Sequence, residues 1–143
     1  MIKSYRGLMA DGDEHTVSLH TNNGKTGYKV VKFNVMPNEP FNKIQESVLK
    51  MYKIPQGTPD GKVDFSDGTL VAAGIFKGAD STGTPQTTTE VFFDNEIINQ
   101  DLYLTCYDAA TGEKLNYYFE LEQINLSEDQ ALAAIVKNLR NEQ

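Results

Sequence analysis

Apolar and polar residues alternate with a period of two along most of this chain. Thr16-Val17-Ser18-Leu19-His20 switches polar to apolar at each step, the mark of a strand half buried against a core. Tyr28–Met36 repeats the pattern, with Val31, Phe33 and Val35 predicted on one face and Lys32 and Asn34 on the other. Asp101–Tyr107 sets Leu102, Leu104 and Cys106 against Tyr103, Thr105 and Tyr107. Lys114–Leu126 sets Leu115, Tyr117, Phe119 and Leu121 against Tyr118, Glu120 and Glu122. Met1–Leu8, Lys62–Phe65, Thr69–Lys77 and Glu90–Phe93 read as further strands.

Turn chemistry falls between these runs. Ala10–Glu14 and Asp67-Gly68 are turns. Asn23-Gly24 within Thr21–Gly27 signals a hairpin, and Asp108–Glu113 reads as a second hairpin loop. Pro37 and Pro40 interrupt ladder bonding and mark a loop, and Pro55–Gly61 is a connection. Gly78–Thr88 lacks any large apolar residue and is predicted as an exposed, mobile loop. Phe41–Ile54 fits two periods. Ile44, Val48, Met51 and Tyr52 would share one side of a short helix, whereas Val48, Tyr52 and Ile54 would share one face of a strand.

From Ser127 the period changes. Leu132, Ile135, Val136 and Leu139 recur at helix spacing. Ser127 suits an N-cap, Gln130 completes a weak capping box, and Glu128 and Asp129 suit the positive end of the helix dipole. A helix of ~14 residues is marginal alone in water, so its stripe is expected to dock on the strands or on a neighbouring subunit. The whole chain, 1–143, is predicted as one β-rich domain, with strands within 1–126 and a helix over 127–141. The expected architecture is an antiparallel β-sandwich, jelly-roll-like or a partly open barrel, with one C-terminal amphipathic α-helix.

Composition narrows function mainly by exclusion. A chain of 143 residues suits one domain that buries roughly 68–70% of its unfolded surface. Lys and Arg number 13 against 20 Asp and Glu, for a net charge of −7. Phosphate binding needs clustered cations, so no nucleic acid and no anionic membrane is expected as a partner. No segment approaches the ~20 apolar residues of a membrane-spanning helix. Cys106 is the sole cysteine, which rules out an internal disulfide or a thiolate cluster.

Few residues are arranged for chemistry. His15 and His20 fall on opposite faces of one strand, wrong for shared metal ligation, and read as surface histidines. Asp11, Asp13 and Glu14 crowd a turn but lack the downstream ligands of a calcium loop. Glu120 and Glu122 share a strand face, about 7 Å apart by strand rise, an ordinary solvent-face arrangement. Cys106 lies on the apolar face and reads as a buried thiol. No catalytic residue, cofactor or metal is expected. Tyr103, Tyr107 and Tyr118 face away from the more apolar side of their strands, where tyrosines can anchor an interface, stack on a sugar or pack in a second core layer. Together with Leu132, Ile135, Val136 and Leu139 they are the candidate interface residues.

Three segments carry a resemblance. Phe93-Asp-Asn-Glu-Ile-Ile-Asn-Gln-Asp-Leu-Tyr-Leu-Thr105, Leu115-Asn-Tyr-Tyr-Phe-Glu-Leu-Glu-Gln-Ile-Asn-Leu126 and Ala134-Ile-Val-Lys-Asn-Leu-Arg-Asn141 resemble short β-rich structural proteins of tailed bacteriophages. The resemblance implies a non-enzymatic virion component made in the host cytoplasm. It would be a decoration or cement protein on the outer surface of the capsid, binding the major capsid protein. Shell symmetry would suit a homo-oligomer, with a trimer expected. Two other readings are a carbohydrate-binding or host-attachment module that stacks its tyrosines on sugars, and a tail-tube or connector protein.

Overall fold

The computed structural model describes residues 1–21, 25–39, 44–78, 88–110 and 112–126. Eight strands form in chain order: β1 (Ile2–Met9), β2 (Glu14–Val17), β3 (Thr26–Pro37), β4 (Glu46–Tyr52), β5 (Leu70–Lys77), β6 (Thr88–Phe93), β7 (Leu102–Asp108) and β8 (Leu115–Asn125). They make two antiparallel sheets, a three-stranded one in the order β1-β8-β3 and a five-stranded one in the order β2-β7-β4-β5-β6. No helix occurs among the described residues. The predicted helix with Leu132, Ile135, Val136 and Leu139 lies outside them, as do Asn23-Gly24 and 79–87 of the predicted loop.

One apolar core lies between the sheets. Its inner residues are the period-two positions of the sequence: Leu102, Leu104 and Cys106 from β7, and Leu115, Phe119 and Leu121 from β8, all without solvent exposure. Phe119 is the hub. Tyr5 stacks on it at 5.0 Å between ring centroids and Tyr117 at 5.9 Å, and Phe33 meets it tilted at 6.5 Å. At Gly74 of β5 the sheets approach closely: an added Cβ would lie 2.6 Å from Val35 Cγ1 of β3. Any larger residue there would push the sheets apart.

Three expectations change, and one open alternative resolves. First, neither predicted hairpin forms. β2 and β3 lie in different sheets, and so do β7 and β8. The Asp108 side chain accepts the Glu46 and Glu113 backbone N–H groups at 2.9 and 2.8 Å, tying the connection across the molecule instead of folding it back. Second, Val31 does not share the face of Phe33 and Val35. A bulge between Val30 and Lys32 shifts the register, puts Tyr28 and Val30 in the core, and leaves Val31 exposed. Third, Lys62–Phe65 is not a strand. Asp60, Asp64 and Asp67 accept N–H bonds from Lys62, Ser66 and Thr69, each two residues on, and such local bonds compete with a ladder. Of the two readings open for Phe41–Ile54, the described residues take the strand: β4 is buried on both faces from Ser47 to Tyr52.

Candidate functional site

The outer face of the five-stranded sheet is closed by its own connection. Val48, Lys50 and Tyr52 point outward from β4, opposite the core residues Leu49 and Met51. The segment 53–69 crosses over them. Lys50 Nζ donates to Asp60 Oδ1 at 2.7 Å and to the Lys62 carbonyl at 2.5 Å, with its ammonium 5.4 Å from the centre of the Tyr52 ring. A Cβ on Gly61 would stand 3.0 Å from the Tyr107 ring, so the backbone itself covers that tyrosine. Lys53 is buried and paired with Glu96 at 2.6 Å, which ties the end of β4 to the β6–β7 connection.

Candidate interface residues Tyr103 and Tyr107 lie on this covered face, half-buried. Tyr118 lies on the outer face of the other sheet, so the structure does not bring the three together. Tyr118 is in register with Arg6 of β1 and Asn34 of β3. Its hydroxyl donates to Glu120 Oε2 at 2.5 Å, and that carboxylate pushes the phenol above its ordinary range. Lys32 sits over its ring, 5.6 Å from the centroid.

Beside Tyr118 runs an open groove of about 1110 Å³. Leu8, Met36, Pro37, Val35 and Phe76 supply its apolar lining, and Arg6, Asn34, Asn116 and the two tyrosines Tyr117 and Tyr118 its polar margin. Met36 is 66% exposed, an unusual state for a methionine on a strand that also fills the core. Alternation turns Arg6, Leu8, Asn34, Met36, Asn116 and Tyr118 outward, while Val35, Phe76 and Tyr117 line the groove from the core side. In the sequence Leu8 and Met36 stand only at strand ends, and their placement on either side of Asn116 depends on the β1-β8-β3 order.

The remaining candidates hold structure. Asp13 accepts Ala10 N–H, Asp11 accepts Asp108 N–H and Glu14 accepts Gln56 N–H, so the acidic turn fastens three connections. Among the described residues no three His, Cys, Asp or Glu side chains converge as metal ligands would. His15 meets the Tyr117 ring edge-on at 6.3 Å, closer to the core than a surface histidine. His20 is exposed. Cys106 is fully buried, and burial together with the carboxylates of Asp11, Asp13 and Asp108 pushes its thiol up to about 12. A thiol so poised is no nucleophile at neutral pH. A smaller hollow of about 200 Å³ is lined by Phe65, Phe92, Asp67, Asp94 and Glu96, with Phe65 69% exposed.

No protein-family model matches the chain, and no curated protein matches it in sequence.

Proposed function

We propose that this chain is a non-enzymatic structural protein of a tailed-phage particle, seated on the outside of the head against the major capsid protein. The observation that carries the reading is the open groove on the three-stranded sheet. It offers apolar side chains with a polar margin and no converging ionisable groups, which suits a neighbour's chain better than a reaction. The two phage-like segments that fall on described residues form β7 and β8, strands flanked on both sides within the two sheets. The resemblance therefore concerns the frame that holds the groove in place.

The strand orders also support a finer reading of the fold. Strands 1, 8 and 3 in one sheet and 2, 7, 4 and 5 in the other follow the alternation of a jelly-roll sandwich, with β6 extending the larger sheet. Such a domain is rigid and water-soluble, as a cement protein exposed on a particle must be.

Quantitative mass spectrometry of purified particles tests the reading. The chain should be present at a fixed ratio to the main shell protein. Added to particles that lack it, purified protein should bind and delay heat-induced rupture of the head. Particles free of the chain would overturn the proposal.

A further inference from the structure

Among the described residues the sheet edges are β1, β2, β3 and β6. β2 has only four residues. β3 carries the bulge at Val31, and its Tyr28 is bridged to Ile98. β6 pairs without a shift but runs only six residues, two fewer than β1. Short strands, bulges and coverings of this kind keep an edge from pairing with another chain. β1 has none of them. It pairs with β8 without a register shift over eight residues and contains no proline.

The ladder tells which backbone groups the free edge displays. Gln123 N–H donates to the Met1 carbonyl at 2.9 Å. The N–H and C=O of one residue point to the same side of an antiparallel strand, and alternate residues point to opposite sides. The odd residues of β1 therefore bond to β8. Ile2, Ser4, Arg6 and Leu8 turn their N–H and C=O groups outward.

We propose that this edge pairs with the same edge of a second copy, antiparallel about a two-fold axis at Tyr5. Only even-with-even registers join the free groups and keep the sheet faces aligned. An axis at Ser4 leaves Leu8 unpaired. An axis at Arg6 sets two guanidinium groups opposite each other, which is destabilising. The axis at Tyr5 sets Ile2 opposite Leu8 and Ser4 opposite Arg6 of the second copy, and every outward N–H and C=O from Ile2 to Leu8 finds a partner. Ile2 and Leu8, 52% and 39% exposed, become cross-strand neighbours, and Lys3 meets Gly7 instead of another cation. The contact is isologous and makes one six-stranded sheet, β3-β8-β1-β1-β8-β3, with both grooves on the same face. It does not rest on the virion reading, and it makes the unit in solution a dimer where shell symmetry alone suggests a trimer.

Sedimentation equilibrium of the whole chain should give twice the 15.9 kDa chain mass. Ser4→Pro removes an N–H from the free edge and none from the ladder to β8, so it should give a monomer with an unchanged circular-dichroism spectrum. Tyr5→Cys places two thiols on the axis, about 4.5 Å apart at Cα, within disulfide range, and should cross-link under mild oxidation. Arg6→Cys, opposite Ser4, should not, and Cys106 is buried and silent in both. A wild-type monomer at the highest soluble concentration overturns the proposal, as does a dimer of Ser4→Pro or equal cross-linking of the two cysteine variants. If Ser4→Pro fails to fold, the cysteine comparison decides.

Discussion

At β4 and β7 the five-stranded sheet is covered on both faces, while the three-stranded sheet leaves one face open along Leu8, Asn34 and Met36. The same kind of residue means different things on the two. On β4 and just past its end a lysine marks a buried group: Lys50 and Lys53 are each about 2% exposed and carry their ammonium groups to Asp60 and Glu96. On β8 a glutamate marks the open side, as at Glu120 and Glu122. The covered sheet spends its polar groups on closing itself. The open one keeps a surface for a partner. Three tests would break or sharpen that contrast.

Breaking the buried pair should have the largest effect. Glu96→Leu leaves the Lys53 ammonium in a site 1% exposed at the side chain. Losing one partner of a buried pair costs about 3–5 kcal/mol, read as a lower midpoint in urea unfolding. Adding Lys53→Met should recover most of that loss, because two apolar groups can replace a buried pair at little net cost. An unmoved midpoint in Glu96→Leu would mean that the pair does not close this sheet.

Alkaline pH should act next, and mostly through the interior. Burial, then the carboxylates of Asp11, Asp13 and Asp108, lift the Cys106 thiol from 9.0 to about 12. Burial also raises Tyr5 and Tyr117. For Lys50, burial pulls downward, but hydrogen bonds to Asp60 and Tyr52 outweigh it and the group ends above 10.5. Each group holds its proton longer in the folded chain than in the unfolded one. Their contribution to stability is thus complete below about pH 9 and fades as pH rises toward 12. Thermal melts from pH 7 to 11 should show a falling Tm above pH 9, and Cys106→Ala should make that fall shallower. A flat profile would contradict the buried placement of these groups.

Much of this was legible from alternation alone. The strands β3, β7 and β8 and their inner faces follow the period of two, and Cys106 sits where the apolar parity of β7 puts it. What escaped was set by contacts between distant segments. Asn23-Gly24 and Asp108–Glu113 have hairpin chemistry, yet the flanking strands find better partners in opposite sheets. The bulge at Val31 leaves no mark on the pattern, because Val30 and Val31 are equally apolar. Lys50 reads as a solvent residue, and nothing near it in sequence announces that the segment 53–69 will cover it. Parity turns the candidate tyrosines away from the core, but it cannot say that Tyr107 is covered by Gly61 or that Tyr118 shares a groove with Met36.

The smallest effect on stability should come from the open face, and there a null result in folding is informative. Met36 is two-thirds exposed and its side chain leaves the core untouched. Met36→Glu should therefore change the unfolding free energy measured in urea by less than about 0.5 kcal/mol, as surface substitutions generally do. The same change places a carboxylate on the open face, across Asn116 from Leu8, where a partner's apolar chain would have to desolvate it. Binding to shells lacking the protein should drop by tenfold or more, about 1.4 kcal/mol, while Tyr107→Phe on the covered sheet should leave it unchanged. If Met36→Glu unfolds the chain, the face is part of the core. If it folds and binds as the parent does, the groove is not the surface that meets the shell.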